Sequence, residues 1–196
     1  MAATTLAAPA HAKHVTLDAF YQMADLPDGA QLVDGEVVVT PPPASGHGYL
    51  ARALFLAMHA HAAARGLGEC FPDGFGYELP LPDRPDTYRT PDASFVRPER
   101  IPRPRPLARA FPLAPDVAAE VLSPSDTYRV VSSKREDYLQ SGTAALWLVD
   151  PETRTVEVHT PGAPARLLRG GDTLDGGDAF PGFALPLAQL FAVLDD

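Results

Sequence analysis

Asp92, Glu120 and Lys134 are the residues of this chain whose types and settings best suit catalysis. Asp92 follows Pro91 and precedes the apolar run ASFV. Glu120 sits inside DVAAEVL, an otherwise apolar run that reads as a strand, and Lys134 lies at the start of the helical stretch SSKREDYL. Phosphodiester hydrolysis needs a cation on the non-bridging oxygen, an activated water and a stabilised leaving oxygen. Magnesium prefers hard oxygen ligands and commonly takes only one or two protein carboxylates, keeping waters for the rest. Asp92 and Glu120 suit that role for Mg2+ (or Mn2+). Lys134 suits orientation or deprotonation of the attacking water, or neutralisation of developing charge. Tyr138, four residues after Lys134, shares its helix face. Spacing alone leaves a structural alternative open, in which Asp92 caps a turn, Glu120 forms a buried salt bridge and Lys134 is solvated. A carboxylate in an apolar strand is costly without a partner, and a metal or Lys134 would supply one.

The elements that must position these residues follow from pattern. VTLDAFYQMADL (15–26) predicts a helix capped by Thr16. AQLVDGEVVVT (30–40) predicts a hairpin turning at Asp34-Gly35 and stopped by the prolines at 41–43. A long helix is expected over 45–65, capped by Ser45 and ended by Gly66. Strands around 69–80 precede a polar loop (80–91) and a short strand (93–97). Residues 98–115 are rich in proline and lack periodicity, as in a loop or lid. DVAAEVLS (116–123) reads as a strand buried on both faces. A helix over 126–142 ends at Gly142, ALWLVD and TVEVHT form a hairpin, and PLAQLFAVL (186–194) closes the chain. The expected product is a single mixed α/β domain (15–196), a central sheet flanked by helices, after a flexible tail (1–14).

Bulk properties set limits. The chain has 196 residues, 45% of them hydrophobic, enough for one well-filled core. Its 22 prolines exceed ordinary usage of about 5%, but most fall between elements. The formal net charge of −9 argues against coating nucleic acid by bulk electrostatics. The single cysteine, Cys70, allows neither a disulfide framework nor a structural zinc site, and it reads as a small buried apolar residue. No run approaches the apolar length of a membrane span, and the alanine-rich start lacks the plan of a signal peptide, so a cytoplasmic location is expected.

The motifs VTLDAFYQM, QLVDGEVVVTPPP, GHGYLARAL, TPDASFV, PDVAAEVLSPS, KREDYLQSG, ALWLVDPETRTVEVH and FPGFALPLAQLF together carry a resemblance. The chain resembles the Uma-type putative restriction endonuclease family, a branch of the PD-(D/E)XK nuclease superfamily, from about residue 15 to 192. The resemblance implies a restriction-endonuclease-like fold, DNA as substrate, and Asp92 and Glu120 as metal carboxylates. The superfamily usually places its lysine two residues after the glutamate, where this chain has Leu122; the family pattern moves it to the following helix, at Lys134. Glu36, in VDGE, matches a family acid and would add a third acidic group; the alternative is an exposed turn residue. His47, in GHGY, matches a family histidine; the alternative is a helix-terminal or core contact. Two positions depart from the pattern. Ala30-Gln31 stand where Tyr-Glu is common, and Val130 where an aspartate is.

Arg97, Arg100, Arg103, Arg105 and Arg109 form a local basic strip suited to gripping phosphates, or simply a solvated loop. GGDTLDGGDAF reads as a turn-rich hairpin, Trp147 as core, and His59 and His61 as too divergent on their helix to share a metal. A homodimer is expected from the habit of such nucleases of addressing two strands. The competing expectations are a binding or assembly protein that keeps the nuclease fold, and a hydrolase of small phosphoesters.

Overall fold

The computed structural model describes residues 14–39 and 44–195. The expected tail, apart from His14, and the proline stop at 41–43 lie outside the described residues. In chain order the elements are α1 (Leu17–Tyr21), β1 (Ala30–Val33), β2 (Glu36–Val39), α2 (Ser45–Arg65), β3 (Glu69–Pro72), β4 (Tyr77–Glu78), β5 (Tyr88–Arg89) and β6 (Ala93–Val96). There follow β7 (Val117–Val121), α3 (Tyr128–Gln140), β8 (Ala145–Asp150), β9 (Thr155–His159), β10 (Arg166–Arg169), β11 (Thr173–Asp175), β12 (Ala184–Pro186) and α4 (Leu187–Phe191).

Local chemistry explains most boundaries. Thr16 caps α1 by accepting the Ala19 N–H at 3.2 Å. The helix ends at Tyr21 and not at Leu26: Met23 is 45% exposed, so no apolar contact holds a second turn, and Pro27 disfavours helical backbone just before it. Asp34 and Gly35 take φ of 51° and 73°, the paired positive angles of a tight hairpin turn. Gly66 ends α2 in the left-handed region, at φ 62°, and its N–H reaches the Ala62 carbonyl. At the other end of α2 the cap position is Ala44, without a side-chain bond, so Ser45 is inside the helix and not its cap.

The main sheet has six strands in the order β10-β9-β8-β7-β6-β3. β7 and β8 are parallel and are joined through α3; the other neighbours run antiparallel. The side chains of β7 alternate. Val117, Ala119 and Val121 join the core under α2, with Leu50, Leu54, Met58, Phe95 and Trp147. Ala118 faces the opposite layer, with Tyr138 of α3, Leu146 and Leu148, and so does Glu120, which bonds to α3. β7 is therefore buried on both faces, as its apolar run requires.

Residues 101–115 complete that second layer. Ile101, Phe111 and Ala114 are buried against Tyr77 and Leu81, so the proline-rich stretch covers an apolar face of the sheet. A smaller sheet, β2-β1-β5-β4, stands beside the main one, and β11 pairs with β12 as the expected hairpin. Trp147 and Cys70 are core residues. Among the described residues no helix is long and apolar enough to cross a membrane.

Candidate functional site

The antiparallel pairing of β6 with β7 puts Ala93 opposite Ala119, which brings Asp92 to the end of β7 where Glu120 lies. Two backbone-directed bonds fix Asp92 there. Its N–H donates to the Ala119 carbonyl at 3.0 Å, and its Oδ2 accepts the Val121 N–H at 2.6 Å. His47, in the first turn of α2, places Nε2 3.3 Å from the same Oδ2. The His47 Nδ1 is buried and has no hydrogen-bond partner among the described residues.

Glu120 is 2% exposed. Lys134 Nζ donates to its Oε2 at 2.6 Å, and the Tyr138 hydroxyl donates to its Oε1 at 2.8 Å. The i, i+4 spacing of Lys134 and Tyr138 on α3 lets both reach one carboxylate. Burial pushes the Glu120 carboxyl above its ordinary range; Lys134 works against that rise, and the nearby charge of Asp92 adds to it. For Lys134, burial favours the neutral amine, yet the carboxylates of Glu120 and Asp92 outweigh it and hold the ammonium charged. Burial, then Glu120, raise the Tyr138 phenol well above its usual value, so it acts as a hydrogen-bond donor.

Asp73, in the turn between β3 and β4, belongs to the same neighbourhood. Burial and the charge of Asp92 raise its carboxyl, and it exerts a field on His47. Sequence reasoning passed over it, although FPDGF repeats the proline-aspartate pairing found at Asp92. Another signal was readable. Lys13 and Lys134 are the only lysines of the chain. The one lysine among the described residues is thus the one bonded to Glu120.

The remaining expected residues fall elsewhere. Glu36 is exposed at the start of β2, paired across the turn with Val33, and makes no polar contact with the cluster among the described residues. The arginine strip starts at the far end of β6. Arg97 is five residues from Asp92, roughly 16 Å of extended strand. Its guanidinium and that of Arg100 reach Asp116. Arg105 pairs with Glu69, and Arg109 with Asp18 and Glu78. Arg103 alone of the five has no acidic partner among the described residues. Four of the five arginines thus tie the 98–115 segment down by ion pairs, while Ile101, Phe111 and Ala114 pack it against the sheet.

The donor set fits a hard divalent cation. Asp92 Oδ1 accepts no protein hydrogen bond among the described residues, the two acids share one strand end, and two carboxylates face one ammonium. Two carboxylates suffice for magnesium, which retains water in its remaining positions. The described residues hold no group of three or more His, Cys, Asp or Glu side chains shaped for a metal, so a structural zinc-type site is not present among them.

Comparison with known proteins bears on the family and the fold. The model of the Uma2 family, described as "Putative restriction endonuclease", matches residues 17–188. A crystal structure of a putative nuclease belonging to DUF820, from Anabaena variabilis, superposes with a TM-score of 0.80. The two are 22% identical, and the match covers 92% of this chain and 99% of that one, which establishes a shared fold. The search of curated proteins found no match.

Proposed function

Because the chain belongs to the Uma2 family of putative restriction endonucleases, we propose that it is a metal-dependent endonuclease that hydrolyses DNA phosphodiester bonds. The observation that carries the reading is the buried junction of Asp92, Glu120 and Lys134 at one strand end. Asp92 and Glu120 would hold Mg2+ or Mn2+. The bound ion would polarise the phosphate and lower the pKa of a coordinated water.

The chain's own residues supply the rest. Lys134 is kept cationic beside Glu120, where it counters the charge that grows on the phosphate in the transition state. Tyr138 is fully buried and touches no solvent, so its part is to hold the Glu120 carboxylate in one orientation. His47 does the same for Asp92. Glu36, exposed on β2 and without a polar contact to the cluster among the described residues, would assist from outside the buried junction. The free arginines nearest in sequence to Lys134 are Arg129 and Arg135, on its own helix and without a carboxylate partner among the described residues. These, and not the strip at 97–105, are the candidates to meet the DNA backbone. With a net charge of −9, binding to DNA outside the site is expected to be weak and strongly weakened by salt.

The test is relaxation of supercoiled plasmid with Mg2+, comparing the native chain with Asp92→Ala and Lys134→Ala. Equal activity in all three would sink the assignment. One observation favours a second reading, a binding protein that keeps the nuclease fold: both oxygens of Glu120 already receive protein donors. Calorimetric titration with Mn2+ separates the two, since the second reading expects no binding.

A further inference from the structure

Asp92 and Lys134 come from distant parts of the chain, and a second buried cluster ties those parts together. Arg89 is 4% exposed and Asp137 is fully buried. Arg89 donates Nε and Nη2 to Asp137 Oδ2 at 2.9 and 2.5 Å. Its Nη2 also reaches Ser133 Oγ at 3.1 Å, and its Nη1 reaches Gln31 Oε1 at 3.1 Å. Gln31 in turn donates to Thr90 Oγ1 at 3.2 Å.

The positions in sequence give these contacts their meaning. Arg89 stands three residues before Asp92, with Thr90 braced by Gln31 and with Pro91 fixing φ. Ser133 and Asp137 immediately precede Lys134 and Tyr138. The helix therefore presents one i, i+4 pair to Arg89 and the adjacent pair to Glu120. The contacts close a ring: Asp92 on β7 through Val121, Glu120 of β7 on α3 through Lys134 and Tyr138, and α3 back to the Asp92 segment through Arg89.

We propose that Arg89 is a positioning residue for the hydrolysis assigned above: its fork on Asp137 and Ser133 sets the rotation and height of α3, and so the place of Lys134 against Asp92 and Glu120. The proposal rests on the nuclease reading for its effect on rate, but its structural half does not. A buried ion pair adds little stability over apolar packing of the same volume, whereas it fixes register well. An arginine suits this because its planar fork meets several acceptors in fixed directions, which a lysine cannot do.

Side-chain 15N NMR of lysine tests the ring directly. Lys13→Arg leaves Lys134 as the single lysine of the chain, so its ammonium signal is identified at once. In that background the Lys134 ammonium is expected to exchange slowly with water. Arg89→Gln is expected to shift or broaden that signal, and to lower kcat on plasmid roughly 10- to 100-fold with KM unchanged, the scale of a 1 Å misplacement. Asp137→Asn, which keeps an acceptor for Arg89, is expected to do the same and serves where Arg89→Gln does not fold. Arg166→Gln, which removes an exposed ion pair to Asp175 and touches no member of the ring, leaves both readouts unchanged. A lowered unfolding temperature with the Lys134 signal unaltered would show that Arg89 is structural glue, and would overturn the proposal. A native chain that cleaves no plasmid, with a Lys134 signal that still depends on Arg89, would refute the nuclease reading and leave the ring standing.

Discussion

Helix α3 serves two buried polar clusters of opposite charge balance. Around Asp137, two guanidiniums meet one carboxylate: Arg84 on Oδ1 and Arg89 on Oδ2, with Ser133, Gln31 and Gln140 taking further donors. Around Glu120, one ammonium and one phenol serve a carboxylate that has a second acid, Asp92, beside it. The Asp137 cluster has its carboxylate saturated by donors. In the Glu120 cluster one lysine ammonium serves two acids, with the titratable His47 beside Asp92, and Asp92 Oδ1 is left without a protein donor among the described residues. Saturated charge holds a fold in register. Acid in excess of base creates demand for a cation, which is what a catalytic centre for phosphate chemistry requires.

Substitutions should separate the two clusters by what they damage. The largest effect is expected from Asp92→Asn, which still accepts the Val121 N–H but loses its charge: plasmid relaxation falls by about three orders of magnitude, the rate equivalent of several kcal/mol. Its unfolding midpoint stays close to the native one. Asp137→Ala is the converse. It strands two guanidiniums, one of them buried, and should cost roughly 3–5 kcal/mol. At about 2–4 °C per kcal/mol for a chain of this size, calorimetry should find the melting temperature lowered by roughly 6–20 °C. An unchanged midpoint would erase the distinction between the clusters.

Arg84→Gln should be milder, about 1 kcal/mol by urea unfolding, because this guanidinium is 24% exposed and Arg89 remains on Asp137. The smallest effect belongs to an exposed pair that serves as reference. Burial slightly disfavours the Asp86 charge, but the His14 ring and the Leu17 N–H outweigh it and hold the carboxyl below its ordinary value. A depressed acid contributes stability above its unfolded pKa and loses it as pH falls through the folded one. Amide exchange over Val15–Tyr21 should therefore quicken selectively in the acid range below the ordinary carboxylate pKa, while α3 keeps its protection.

Much of this molecule is legible in its residues alone. The i, i+4 pair Lys134 and Tyr138, the charge inside VAAEVL and the proline before Asp92 are local patterns, and local patterns survive folding. The hairpin at Asp34-Gly35 and the end of α2 at Gly66 are equally readable, because positive φ is a property of the residue itself. The arginine strip misleads for the same reason in reverse. A run of five guanidiniums looks free in sequence, yet Asp116, Glu69, Asp18 and Glu78 arrive from elsewhere in the chain to pair with all but Arg103.

By itself, then, the sequence determined which elements form and which acids stand in apolar settings, because both follow from side chains within a few residues of each other. Tertiary structure decided the partners. It joined Lys134 and Tyr138 to Glu120, brought His47 beside Asp92, and set Arg89 on Asp137. Such pairings depend on strand register and on how a helix lies against a sheet, and those are fixed only when the whole core packs.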